Sequence, residues 1–74
     1  MEITVKLFAN FRIGRFAANS KRLPGATTVS DIVRQLRIPE EQIGIVMLNN
    51  RHAPLSQELH DGDTLALFPL VGGG

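Results

Sequence analysis

Thr64-Leu65-Ala66-Leu67-Phe68-Pro69-Leu70-Val71-Gly72-Gly73-Gly74 ends the sequence of 74 residues, and the stretch changes character at its middle. Up to Phe68 it alternates, with Leu65 and Leu67 on one face and Ala66 and Phe68 on the other, which predicts a strand. Pro69 fixes its own φ and biases Phe68 towards extended backbone, so the chain leaves this strand in a set direction. Three consecutive glycines bury no side chain, and glycine costs more backbone entropy to order than any other residue. They add nothing to a fold. The reading is a domain over 1–69 and a flexible tail over 70–74 that presents the carboxylate of Gly74. The five residues after Pro69 span roughly 17 Å when fully extended, enough to enter a partner's active site.

The remainder of the chain supplies what such a strand needs as neighbours. From Glu2 to Phe8, Ile3, Val5 and Leu7 alternate with Thr4, Lys6 and Phe8, which predicts a first strand. Asn10 to Gly14 read as a turn, and Arg15 to Leu23 as a weaker second strand whose Lys21 and Arg22 suit a sheet edge. Pro24-Gly25 breaks that strand. Thr28-Val29-Ser30-Asp31 has the form of a helix start, the Thr28 hydroxyl placed to accept from the amide three residues on and Asp31 placed to reach back.

Val29, Ile32, Val33 and Leu36 follow as one helical stripe. Each, if fully buried, contributes roughly 1.5 to 3 kcal/mol of gross hydrophobic stabilisation, most of it offset by ordering entropy. The helix is expected to end just before Pro39, and at about ten residues it needs a sheet to pack on. Ile43 to Leu48 is an apolar run interrupted only by Gly44, hence a third strand, closed by Asn49-Asn50, which tolerate left-handed turn geometry. Arg51 to Ala53 read as a very short strand, Ser56 to Leu59 as a helical turn, and His60-Asp61-Gly62-Asp63 as a tight turn before the last strand.

Composition narrows the function classes. A chain of this length holds one core, with no room for a second. There is no cysteine, which removes disulfides, thiol nucleophiles and thiolate metal ligands. His52 and His60 are the only histidines and lack ligand spacing, so no metal site and no cofactor are expected. The glycines precede no helix, so they do not form a phosphate loop. Asp61 and Asp63 flank a glycine and read as turn residues, not as a catalytic carboxylate pair.

Met1 leads straight into the first strand pattern, with no leader and no long apolar run, so a cytoplasmic protein with no membrane partner is expected. Net charge is +1, unevenly spread. Lys6, Arg12, Arg15, Lys21 and Arg22 face only Glu2 in the first 22 residues, and the rest of the chain is acidic overall. Such polarity can steer an acidic partner or be no more than a solvated hairpin.

Several features together resemble the ubiquitin-like sulfur-carrier family, which includes the small subunit of molybdopterin synthase and the thiamine-biosynthesis sulfur carrier. They are the order of elements, Val5-Lys6-Leu7-Phe8-Ala9 in the first strand, the Thr27-Thr28-Val29 helix entry, Asp61-Gly62-Asp63 before the last strand, and the run from Phe68-Pro69 to Gly74. The resemblance covers the whole chain. It departs at Gly72, where molybdopterin-type members commonly carry alanine or serine.

The resemblance implies an α+β ubiquitin-like β-grasp, a mixed four- to five-stranded sheet with one main helix on one face and the first and last strands side by side and parallel at its centre. It also implies a carrier that is not itself an enzyme. A ubiquitin-activating-like enzyme uses ATP to adenylate the Gly74 carboxylate, a sulfur donor converts it to a thiocarboxylate, and a larger synthase subunit receives the sulfur. Gly72, Gly73 and Gly74 form the reactive tail. By alternation, if Ile3, Val5, Leu7, Leu65 and Leu67 face the helix, Phe8 and Phe68 share the opposite face beside the tail. Phe8, Phe68, Pro69, Leu70 and Val71 are then the expected partner-binding residues.

The Phe8-Ala9-Asn10-Phe11-Arg12 loop and the Phe68-Pro69 ending look more like the molybdopterin side of the family than the thiamine side. Molybdenum or tungsten cofactor assembly is therefore the expected pathway, with thiamine thiazole synthesis as the alternative. Two other classes stay open. One is a protein modifier joined to lysines through Gly74. The other is a nucleic-acid-binding module that uses the basic first hairpin, whose binding would weaken steeply with salt. No nucleic-acid partner is expected on the preferred reading.

Overall fold

Alternation in the first and last segments sets the centre of the sheet. In the computed structural model, which describes residues 1–70, β1 (Glu2–Leu7) lies parallel to β5 (Thr64–Pro69), with Val5 beside Leu65 and Leu7 beside Leu67. β2 (Ala18–Arg22) pairs antiparallel with β1 at one edge. β3 (Ile43–Leu48) pairs antiparallel with β5, and β4 (Arg51–His52) with β3. The order β2-β1-β5-β3-β4 puts β5 in the middle. With one helix packed on one face, this is the ubiquitin-like β-grasp.

The inward set is the one the alternation predicts. Ile3, Val5, Leu7, Leu65 and Leu67 are each 1 % exposed or less, and they share one core with Val29, Ile32 and Val33 of α1 (Val29–Gln35). The start of α1 is also as predicted. The Asp31 N–H donates to the Thr28 hydroxyl at 3.2 Å, and the Thr28 N–H donates to the Asp31 carboxylate at 2.9 Å. Two of the orphan donors of the first turn are thereby satisfied.

Three local expectations are corrected. The helix stops at Gln35, short of the expected end before Pro39. Arg37 adopts a left-handed φ of 58°, and the Ile38 N–H turns back to the Val33 carbonyl at 3.1 Å. That reversal buries Ile38 in the core, a gain that one more helical turn would forgo. Arg15 then donates to the freed carbonyls of Leu36 at 3.0 Å and Arg37 at 3.4 Å.

Ser56 to Leu59 is not a helical turn. The Gln57 N–H closes a turn on the Pro54 carbonyl at 3.0 Å, Glu58 bridges Thr28, and the Leu59 N–H reaches the Thr27 carbonyl at 2.8 Å, which carries the Leu59 side chain into the core. Asn10 to Gly14 is more than a turn, since Ala9–Arg12 winds into a 3-10 helix that buries Phe11 at 3 % exposure. Among the described residues no helix is long and apolar enough to cross a membrane.

Candidate functional site

Among the described residues no helix packs on the sheet face away from α1, and the composition of that face follows from register. Strand neighbours that share a face must alternate with the buried set. Lys6 and Ala66 are therefore partners, as are Met47 and Ala66, and Ile45 and Phe68. Lys6, Phe8, Met47, Thr64, Ala66 and Phe68 surround a shallow hollow on this face.

Phe8 follows β1 directly, and its ring stacks on Phe68 with centroids 4.3 Å apart and 10° between the planes. Both rings are half-buried, each covering the other. The shared-face expectation holds, but the pair is a stacked unit and not two freely exposed rings. Arg12 holds the corner: its Nε donates to the Leu7 carbonyl at 2.7 Å, and its Cζ stands 5.3 Å from the Phe8 centroid. That hydrogen bond fixes the guanidinium over the ring, in the geometry of a cation–π contact.

The exit of the last strand is fixed by backbone. Pro69 ends β5 opposite Ile43, half-buried, and has no N–H to give the ladder. The next donor is the Leu70 N–H, which bonds the Gln42 carbonyl at 2.9 Å. The Leu70 side chain is 59 % exposed. Val71, Gly72, Gly73 and Gly74 lie outside the described residues.

Three groups at this site were not singled out in the sequence. Ile45, 43 % exposed, and Met47 extend the aromatic pair into a larger apolar patch. Their signal was the unbroken apolar run of β3, since a strand with one open face needs apolar residues only at alternate positions. Arg12 gave no signal, because its contact to Phe8 depends on the 3-10 turn. The patch is thus aromatic and aliphatic, with Lys6 and Arg12 as cations at its border. Such a surface fits an apolar patch with acidic neighbours. The turn carboxylates are tied into the scaffold: Asp61 accepts from the Glu2 N–H at 2.7 Å, and Asp63 accepts from the His60 N–H and the Asn49 amide, each at 2.8 Å.

The model of the ThiS family matches residues 5–74. No curated protein matches the chain in sequence. Among solved structures, a putative molybdopterin converting factor subunit 1 of Pyrococcus furiosus is similar, with 25 % identity over 96 % of this chain and 99 % of that one, and a TM-score of 0.76. Small archaeal modifier protein 1 of Haloferax volcanii is 28 % identical, with 100 % of both chains covered and a TM-score of 0.75. The complex of subunits 1 and 2 of the Helicobacter pylori molybdopterin-converting factor contains a chain of the same fold, 22 % identical with a TM-score of 0.67 and 100 % of both chains covered.

Proposed function

The chain belongs to the ThiS family, and from that premise we propose that it is a sulfur carrier whose reactive group is the carboxylate of Gly74. The observation that carries this reading is the extent of the family match, which runs through the glycines to residue 74. A carboxylate does not accept sulfur directly, since its charge is delocalised and its leaving group would be oxide. A ubiquitin-activating-like enzyme therefore joins a carboxylate oxygen to the α-phosphorus of ATP and releases pyrophosphate. A sulfide equivalent from a sulfur donor then displaces AMP and leaves a thiocarboxylate. Glycine suits the position because a carbonyl with no side chain beside it passes a narrow channel and can be approached closely.

On this reading the chain is substrate and subunit, not catalyst, and it works in the cytoplasm beside its ATP-dependent partner. Phe8, Phe68, Pro69, Leu70 and Val71 bind that partner, with Ile45 and Met47 widening the contact. The recipient pathway proposed is molybdenum or tungsten cofactor assembly, supported by the likeness to the Pyrococcus furiosus factor. A larger synthase subunit is the second partner, by analogy with the Helicobacter pylori complex. Thiamine thiazole synthesis is the alternative use of the same thiocarboxylate.

The test is to co-express the chain with the activating-type enzymes of its source organism and a sulfur source, and then to measure the intact mass. Exchange of one oxygen for sulfur at the C-terminus is expected, and its persistent absence would sink the proposal. A second reading, a modifier joined to lysines through Gly74, is favoured by the likeness to small archaeal modifier protein 1. It predicts lysine adducts in extracts that vanish when Gly74 is deleted.

A further inference from the structure

Gly44 interrupts the apolar run of β3, and the register records why. Ile43 pairs with Pro69 and Ile45 with Phe68, so Gly44 is an extra residue in β3 opposite a junction of β5 that has none. A side chain has no room there. A Cβ on Gly44 would lie 2.6 Å from the Pro69 carbonyl oxygen, 2.9 Å from the Leu70 nitrogen and 2.9 Å from the Pro69 carbonyl carbon. All three are backbone atoms, so no rotamer change relieves the clash. At Gly14, Gly25 and Gly62 an added Cβ would meet nothing within 4 Å, so among the described glycines close approach is required at Gly44 alone.

The bulge falls where Pro69 withholds its N–H, and the ladder resumes beyond it with the Leu70 N–H on the Gln42 carbonyl at 2.9 Å. We propose that Gly44 is a positioning residue for the C-terminal tail: by lacking a side chain it lets Pro69 and Leu70 lie against β3, and so fixes the point and direction from which Gly74 is delivered to the adenylating enzyme. The proposal rests on the sulfur-carrier reading and adds to it the part of the scaffold that aims the reactive end. Gly74 lies four residues beyond Leu70, at most about 14 Å away. Within that reach the point at which Leu70 is held sets which positions the Gly74 carboxylate can occupy, and misplacement of a reacting group by about 1 Å can cost on the order of a hundredfold in rate.

The experiment uses the full chain, with hydrogen exchange of the Leu70 amide measured by NMR and ATP–pyrophosphate exchange measured with the activating-type enzyme of the same organism. In the native chain the Leu70 amide is protected. In Gly44→Ala that protection is lost and kcat for adenylation falls by about tenfold or more, while KM, which Pro69 and Leu70 share in setting, rises by a smaller factor because the Phe8–Phe68 patch still docks. Leu70→Pro, which removes the anchoring N–H and leaves Gly44 intact, gives the same loss of kcat when compared with Leu70→Ala, which removes the same exposed side chain and keeps the N–H. It carries the test if Gly44→Ala does not fold.

A native Leu70 amide that exchanges freely overturns the proposal. So does a kcat unchanged in both variants, or a loss confined to KM, which would make the effect one of docking. A native chain that no activating enzyme adenylates overturns the sulfur-carrier reading and this role with it. An active native chain with equally active variants overturns this role alone.

Discussion

Phe68 stacks on Phe8 and, on the proposed function, also anchors the partner, and the cost of removing it separates the two roles. Within the domain it gives up a parallel stack on Phe8, worth about 0.5–1.5 kcal/mol beyond area burial. At the proposed interface it is the central anchor, where truncation of an aromatic typically costs about 2 kcal/mol or more. Phe68→Ala is therefore expected to lower the unfolding free energy modestly in urea titrations while weakening binding to the activating enzyme by more than about tenfold. Comparable losses in both would return Phe68 to the core.

Asp31 offers a second measurement. The Thr28 backbone N–H and then the Thr28 side chain hold its carboxyl below the ordinary value of 3.8, with a further pull from Arg34, while desolvation opposes them. Because the folded value is the lower one, Asp31 adds stability above the ordinary value, and that increment is lost as pH falls from about 4 through the folded value. Asp31→Asn is expected to flatten the acid limb of the stability–pH curve, and an unchanged limb would show that the cap does not titrate with folding. Thr28→Ala, which removes the hydroxyl acceptor, is expected to cost about 1 kcal/mol at neutral pH.

Helix α1 is seven residues long, too short to persist without the sheet beneath it. Its stability is that of its buried stripe. Ile32 is wholly buried and Leu36 half-buried. Ile32→Ala is thus expected to cost about 2–5 kcal/mol, and Leu36→Ala about half as much, both read from thermal and urea unfolding. Equal costs would mean that Leu36 is packed more deeply than its exposure shows. The stripe and its cap were legible in the sequence because both depend on residues three and four apart. The helix end was not, because it is set by Ile38 reaching the core and by Arg15, 21 residues from Leu36, donating to the last carbonyls.

The proposed function assigns stability to the domain and chemistry to the last residues. On the proposed function, removal of Gly73 and Gly74 is expected to leave the melting temperature within about 2 °C, less than 1 kcal/mol would move it, and to abolish pyrophosphate exchange with the activating enzyme. A large fall in melting temperature would make the glycines structural. The contact patch was half legible. Phe8 and Phe68 could be assigned to one face because strand alternation is strict, whereas Ile45, Met47 and Arg12 joined them only through the pairing of β3 with β5 and the folding back of the turn after β1.

Local and periodic rules were thus enough to set the strands, the helix start, the buried faces and the family resemblance, since each depends on neighbours a few residues apart. The early helix end, the burial of Phe11, the stacking of Phe8 on Phe68 and the need for glycine at position 44 were decided by the tertiary structure. Each arises between segments distant in sequence, whose separation is fixed only when the sheet assembles. Gly44 shows the difference most directly. In the sequence it is a gap in an apolar run, and in the sheet it is the space occupied by the backbone of Pro69 and Leu70.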